Sequence, residues 1–273
     1  MAASPFTVFG AAGFVGARLV AHLGALGHEV RAVGRDSWPK PGEALGHVLF
    51  TVGMTAQFRG RPFETVETQT LRAYEALRSY RFESFLYLSS TRLYQGAGAT
   101  AEETPILARP ATADAIYNLT KATAECLCLS LDDPAVRVVR LSNVFGPEND
   151  SELFVSDVMR EAAATGRLVF RSAPASAKDY VHVADVAELL PRIALSGRER
   201  LYNLAFGRNV SNRAIGDALA ACGIDIAYQD GAPEISFPQI DIARLMREFP
   251  RPTRGLLAAV PELLEAAQKR VQT

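Results

Sequence analysis

Short runs of apolar and β-branched residues alternate with longer stretches of helical periodicity through the first half of the chain. Residues 5–10 (PFTVFG) form the first strand-like run. A helix is predicted from about Val15, with Val15, Leu19, Leu23 and Leu26 on one face and Gly27 as its stop. Residues 29–34 (EVRAVG), 47–53 (HVLFTVG), 85–90 (FLYLSS) and 136–141 (VRVVRL) are further near-continuous apolar runs, as expected of strands buried on both faces of a parallel sheet. Residues 62–81 and 114–131 read as helices between them. The alternation predicts an α/β fold, a doubly wound parallel sheet wrapped by helices.

Beyond residue 146 the rhythm changes to longer helices separated by short pieces such as RLVFR and RLYNLA. This predicts a sheet domain over residues 1–146 and a smaller C-terminal lobe over residues 147–273, with residues 178–205, mainly a helix at 184–196, partly returning to the sheet domain. Only ten residues, 37–46, separate the second strand region from His47. That is too few for a helix, a strand and their turns, so the crossover unit after the second strand is expected to be shortened.

Apolar residues make up 48% of the 273 and charged residues 22%, the balance of a folded globular protein. A net charge of −1 supplies no electropositive field for a nucleic acid. No apolar run reaches the ~18 residues needed to cross a bilayer, and the N-terminal apolar segment lacks the basic leader and cleavage site of a signal peptide. Three cysteines, Cys126, Cys128 and Cys222, show no paired spacing, which fits a reducing cytoplasm and a structural role. No metal site is expected, since nothing around His182 supplies further ligands.

Candidate chemistry begins at Gly10-Ala11-Ala12-Gly13-Phe14-Val15-Gly16, between the first strand and the first helix. Backbone N–H groups and the positive end of a helix can meet a pyrophosphate there. Gly10 permits the tight turn, Gly13 the close approach of phosphate and Gly16 the packing of helix on strand, so Gly10, Gly13, Phe14, Val15 and Gly16 are candidate dinucleotide-binding residues of a Rossmann-type fold. Where an acidic residue would accept the adenosine ribose hydroxyls, the second strand ends in Gly34-Arg35. A guanidinium pairs well with a 2′-phosphate, so Arg35 favours NADP over NAD, while the neighbouring Asp36 keeps NAD open.

Tyr117 and Lys121 lie four residues apart and share a helix face. A phenol is a poor base at neutral pH, and a nearby ammonium is expected to lower its pKa. Ser90, at the end of a buried strand, faces the crevice where open α/β sheets bind ligands and can hydrogen-bond a reacting oxygen. Ser89 and Thr91 are then expected to serve ordinary strand-end hydrogen bonding.

These segments resemble those of the extended short-chain dehydrogenases/reductases, in particular the NAD-dependent epimerase/dehydratase family, whose usual substrates are nucleotide-linked sugars. Leu88-Ser89-Ser90-Thr91-Arg92-Leu93-Tyr94 is similar to the family's serine segment, and Arg140-Leu141-Ser142-Asn143-Val144-Phe145-Gly146-Pro147 to its RxxNVxGP stretch. Lys178-Asp179-Tyr180-Val181-His182-Val183-Ala184-Asp185-Val186-Ala187 is similar to its RDxxxVxDVA segment, and Leu201-Tyr202-Asn203-Leu204 to the strand that follows. The resemblance implies catalytic roles for Ser90, Tyr117 and Lys121, with Tyr117 and Lys121 also against the cofactor and Lys121 holding the nicotinamide ribose. It places Gly53 and Met54 beside the cofactor and Asn143 near the sugar diphosphate, lets Lys178 contact the nucleotide, and implies a homodimer through the two long helices of the sheet domain. Residue by residue, other readings stand: Asn143 as a turn-stabilising amide, and Asp179 and Asp185 as structural groups capping the helix near Ala184.

The dehydratases of this group follow the catalytic hydroxyl with an Asp-Glu pair, where this chain has Thr91-Arg92, and the decarboxylases carry a glutamate at the position of Arg92. Both reactions lose ground. Ser90, Thr91, Arg92, Asn143 and Lys178 are the candidate substrate-binding residues, and Arg92 could pair with a carboxylate on the sugar or brace its own loop. The expected function is hydride transfer at a sugar carbon by a nucleotide-sugar epimerase or 4-keto reductase. Alternatives are a non-catalytic NAD(P)-binding regulator and a reductase of a small non-sugar carbonyl compound.

Overall fold

Strand β1 (Pro5–Phe9) leads into helix α1 (Phe14–Ala25) and β2 (Glu29–Val33), which pairs parallel to β1. The next strand, β3 (His47–Phe50), pairs parallel to the other side of β1, with Phe6 opposite His47. Chain then passes through α2 (Pro62–Val66), a wider π turn at Glu67–Leu71 and α3 (Arg72–Ser79) to β4 (Ser84–Ser90). Helix α4 (Ala115–Ser130) and β5 (Val136–Leu141) complete this half, which forms most of one sheet. The computed structural model describes residues 4–54, 56–147 and 153–271.

The remaining elements are β6 (Asn143–Phe145), α5 (Phe154–Thr165), β7 (Arg167–Phe170), β8 (Ala177–His182), α6 (Val183–Ser196), β9 (Leu201–Leu204), β10 (Asn209–Ser211), α7 (Asn212–Ala220), β11 (Asp225–Tyr228), α8 (Ala243–Met246) and α9 (Leu256–Val271). The main sheet runs β2-β1-β3-β4-β5-β9, all pairs parallel. Two smaller sheets, β10-β8-β6 and β11-β7, belong to the second half.

Helices cover both faces of the main sheet. On one face α1 and α6 bury Leu19, Leu23, Leu190 and Ile193 against Leu49 and Leu86. On the other, α3 and α4 bury Ala73, Ala76, Ala124 and Cys128 against Phe50, Phe85 and Tyr87. A separate core of Val155, Met159, Leu168, Phe170, Ile215, Val260 and Leu263 holds the second half together.

The shortened crossover has a direct consequence for the sheet. Residues 34–46 contain no helix and no strand, so β3 takes the place beside β1, and no strand among the described residues pairs with the outer side of β2. Instead Trp38 packs on Phe9 with ring centroids 4.9 Å apart, and the Arg72 guanidinium covers Trp38. β2 is therefore an edge strand, with Glu29, Arg31 and Ala32 exposed, and not the buried strand its apolar run predicts. Arg31 is paired with Glu43 of the linker, the kind of charge an edge tolerates. Leu26 also departs from the expected helix face: α1 ends one residue earlier, and Leu26 is exposed. Among the described residues no helix is long and apolar enough to cross a membrane.

Candidate active site

The C-terminal ends of the parallel strands open on one edge of the sheet, and the glycine turn sits there. Gly10 has φ +81°, and a Cβ on it would lie 2.9 Å from Thr51 Oγ1. A Cβ on Gly16 would lie 2.1 Å from the Gly10 carbonyl oxygen, so any side chain at residue 16 would push the turn off the helix. The first N–H groups of a helix have no intrahelical partner, and no side chain caps α1. Bare donors, the positive helix end and glycine-lined backbone together form a cradle that fits a pyrophosphate.

Arg35 is exposed just past β2, where the Gly34 N–H donates to Ser37 Oγ at 2.8 Å. Gly53 follows β3 and faces Lys121: a Cβ on Gly53 would come 3.2 Å from Lys121 Nζ. The Met54 carbonyl accepts a hydrogen bond from Gln69 Nε2 at 3.2 Å. Gln69 is fully buried in the π turn, and its Oε1 accepts from Thr120 Oγ1 at 2.8 Å. One amide thus joins the loop after β3 to α4 beside Lys121.

Ser90 ends β4, where the chain leaves the sheet into a tight turn over Thr91–Tyr94. Its Oγ accepts from the Arg92 N–H at 3.2 Å, and a hydrogen bond also links it to Tyr117. Tyr117 and Lys121 project from one side of α4 into the same buried region. Lys121 Nζ donates to the Leu88 carbonyl at 2.7 Å and stands 4.8 Å from the centre of the Tyr87 ring.

Burial dominates both ionisations. Loss of water around the Lys121 ammonium lowers its pKa to about 7, against a smaller opposing pull from Glu125. The Tyr117 phenol is pushed up by burial, partly offset by the Ser90 hydrogen bond and by the Arg92 guanidinium. The expectation that Lys121 lowers the phenol therefore needs correction. Lys121 spends its ammonium on a backbone carbonyl, and the cation that acts on the phenol is Arg92.

Arg92 lies between two rings, its guanidinium carbon 5.3 Å from the Phe58 centroid and 5.2 Å from that of Tyr117. Its Nη2 donates to Asp114 Oδ2 at 2.7 Å. Asp114 immediately precedes α4 and also accepts from Arg59 Nη2 at 2.5 Å. Thr91 is buried in the turn. The Ser89 hydroxyl, expected to serve a strand-end hydrogen bond, is buried with no partner among the described residues.

Lys178 of β8 reaches over the Phe154 and Phe237 rings, at 5.5 and 5.6 Å. Asn143 is exposed on β6, and its Nδ2 donates to the Asp179 carbonyl at 2.8 Å, which ties β6 to β8. The caps of α6 are not the expected ones. His182 Nδ1 accepts from the Ala184 N–H at 3.1 Å and is the N-cap. The Asp179 carboxylate instead gathers the N–H groups of Phe206, Gly207 and Arg208, and Asp185 those of Thr253 and Arg254. Both aspartates hold loops, because each lies below a turn whose amides point inward.

Phe58, Arg59, Gln69 and Asp114 line or brace this region and carry no motif. Asp114 had one legible signal, an acidic residue directly before a helical pattern. The others depend on partners distant in sequence.

A family model described as "NAD dependent epimerase/dehydratase family" matches residues 52–205. No curated protein sequence matches the chain significantly. Among solved structures, RMD from Pseudomonas aeruginosa complexed with NADPH is 22% identical, with a TM-score of 0.78 over 98% of this chain and 100% of that one. TunA, an NAD-dependent NDP-hexosamine 5,6-dehydratase of tunicamycin biosynthesis, is 17% identical with a TM-score of 0.81, over 97% and 98%. A UDP-N-acetylglucosamine 4-epimerase from Methanobrevibacter ruminantium M1, in complex with UDP-N-acetylmuramic acid, is 17% identical with a TM-score of 0.78, over the full length of both chains. At these identities the structures establish a shared fold, and the family model, matching more than half of the sequence, establishes membership. The chain belongs to the NAD dependent epimerase/dehydratase family, enzymes of the extended short-chain dehydrogenase/reductase type.

Proposed function

We propose that this enzyme is an NAD(P)-dependent nucleotide-sugar epimerase or 4-keto reductase that moves a hydride at a sugar carbon. One observation carries the reading: Ser90, Tyr117 and Lys121 converge at the end of β4, on the sheet edge that also holds the glycine turn. A nicotinamide, when bound, supplies the hydride exchange. Tyr117 takes or returns the proton of the sugar hydroxyl. Ser90, hydrogen-bonded to that phenol, holds the same oxygen in line. Lys121 offers the ribose of the dinucleotide an ammonium whose nearest protein acceptor is a single carbonyl, and Gly53 leaves room above it.

Gly10, Gly13, Phe14, Val15 and Gly16 hold the pyrophosphate in this reading, Arg35 meets a 2′-phosphate, and Gly53 and Met54 border the nicotinamide ribose. In the same reading Asn143 of β6 and Lys178 of β8 serve the nucleotide side of the substrate, and residues 147–273 form most of its lobe. Exposed Phe63, Leu71 and Tyr74 along the helical stretch before β4 support a homodimer, and the free thiols Cys126, Cys128 and Cys222 suit a reducing cytoplasm.

Mass spectrometry of nucleotides that co-purify with the native protein tests the reading. Retained NAD(P) with no net cofactor turnover identifies an epimerase, and stoichiometric NADPH consumption a reductase. Failure of both dinucleotides to bind removes the proposal.

A further inference from the structure

Three charged side chains, Arg59, Arg92 and Asp114, meet next to the Phe58 and Tyr117 rings, and their charges do not cancel. One carboxylate, Asp114, serves two guanidiniums, those of Arg59 and Arg92. Lys178 lies in the same field: after burial itself, the Arg92 charge is what lowers its ammonium, and Asp114 opposes that. Two guanidiniums against one carboxylate leave an excess of positive charge next to the reacting groups. Arg92 is held in place by the rings of Phe58 and Tyr117 and by Asp114, and 30% of its side chain remains exposed. The exposed part of a guanidinium fixed in this way is open to an anion from outside the protein.

We infer that Arg92, set by Asp114 and Arg59, receives a carboxylate carried on the sugar ring, so that the preferred substrates are nucleotide-linked acidic sugars. The inference rests on the nucleotide-sugar reading above and narrows it. Arg92 stands two residues beyond Ser90 and against the Tyr117 ring, so an anion bound to it lies close to the carbon whose hydroxyl those two residues hold. A neutral sugar offers the exposed part of the guanidinium no counter-charge. A carboxylate offers one, with hydrogen bonds between full charges. The substrate's diphosphate is a second source of negative charge, and the test separates the two because both members of each ligand pair carry it.

Calorimetric titration in the presence of saturating cofactor compares UDP-glucuronic acid with UDP-glucose, and GDP-mannuronic acid with GDP-mannose. The wild type is expected to bind the acidic member of at least one pair about 10- to 100-fold more tightly. Arg92→Gln should erase that ratio and Arg92→Lys should keep part of it. Arg59→Gln, which frees Asp114 to neutralise Arg92, should reduce the ratio, whereas Asp114→Asn should increase it. A gain of preference in Asp114→Asn is a result that damage to the fold does not produce. Equal binding within both pairs, or variants that shift acidic and neutral ligands in parallel, overturns the inference and leaves the nucleotide-sugar reading standing. Binding of neither pair removes both.

Discussion

The Arg92 guanidinium stacks over the Tyr117 ring, its carbon 5.2 Å from the centroid. In the proposed reaction the Tyr117 proton moves, and burial alone would hold that proton tightly. The two influences that loosen it, the Ser90 hydroxyl and Arg92, come from the last residue of β4 and the turn that follows it. In that reaction, strand end and helix share the acid–base function.

Tyr117→Phe is expected to lower kcat/KM by about 10²- to 10⁴-fold, the usual worth of a positioned acid–base group. Ser90→Ala removes one of the two groups that lower the phenol. The limb of the pH–rate profile that belongs to Tyr117 should then move to higher pH, alongside a comparable rate loss. A profile of kcat/KM against pH checks both, and an unmoved limb in Ser90→Ala would detach Ser90 from the phenol.

Lys121 is expected to make the protein without cofactor less stable at low pH. In the folded chain it holds its proton only below about 7, whereas an unfolded lysine keeps it to about 10.4. The unfolded state thus binds more protons across that window, and stability rises with pH through it. Lys121→Met has no ammonium to bury. Its stability should exceed that of the wild type at pH 6 by on the order of 3 kcal/mol, after the lost bond to Leu88 is set against the gain. The gap should close toward pH 10, as read by thermal melting across the range.

Glu125 and Arg140 form a buried pair, with Nη2 2.7 Å from Oε2, and Arg140 Nη1 also donates to the Tyr94 hydroxyl at 2.8 Å. The Glu125 carboxylate raises the pKa of the guanidinium against the effect of burial. Glu125→Gln leaves a buried cation without its counter-charge and should cost about 3–5 kcal/mol. The double variant Glu125→Leu, Arg140→Met should recover much of that loss. Urea unfolding of the three proteins checks the order.

NADPH is expected to raise the Tm more than NADH, and Arg35→Asp to reverse the order. Gly16→Ala should abolish both shifts, because its methyl group would occupy the space of the Gly10 carbonyl, 2.1 Å away. Thermal shift with each dinucleotide measures all three. A wild type stabilised more by NADH would take Arg35 out of this role.

Much of the sheet was legible because local signals agree. The run VRVVRL at Val136–Leu141 is a strand by composition and by burial, and helix α4 covers nearly the residues its pattern predicts. β2 misled for a reason that lies outside it: an apolar run reads as buried only if neighbours exist to bury it, and the short linker supplies none. His182 as the cap of α6 was hidden because capping depends on where a side chain turns, and two nearby aspartates were the stronger compositional candidates. Asp114 finds its arginines 55 and 22 residues away, beyond any spacing rule.

Periodicity and turn chemistry, written into the order of residues, suffice to specify the wound sheet, the glycine cradle and the one-turn separation of Tyr117 from Lys121. These are short-range properties of a polypeptide. Which cation faces the phenol is a different kind of fact. It depends on distances and on the exclusion of water, quantities that exist only once β4, α4 and the turn before it have packed together, and they assign that place to Arg92 and turn Lys121 toward Leu88.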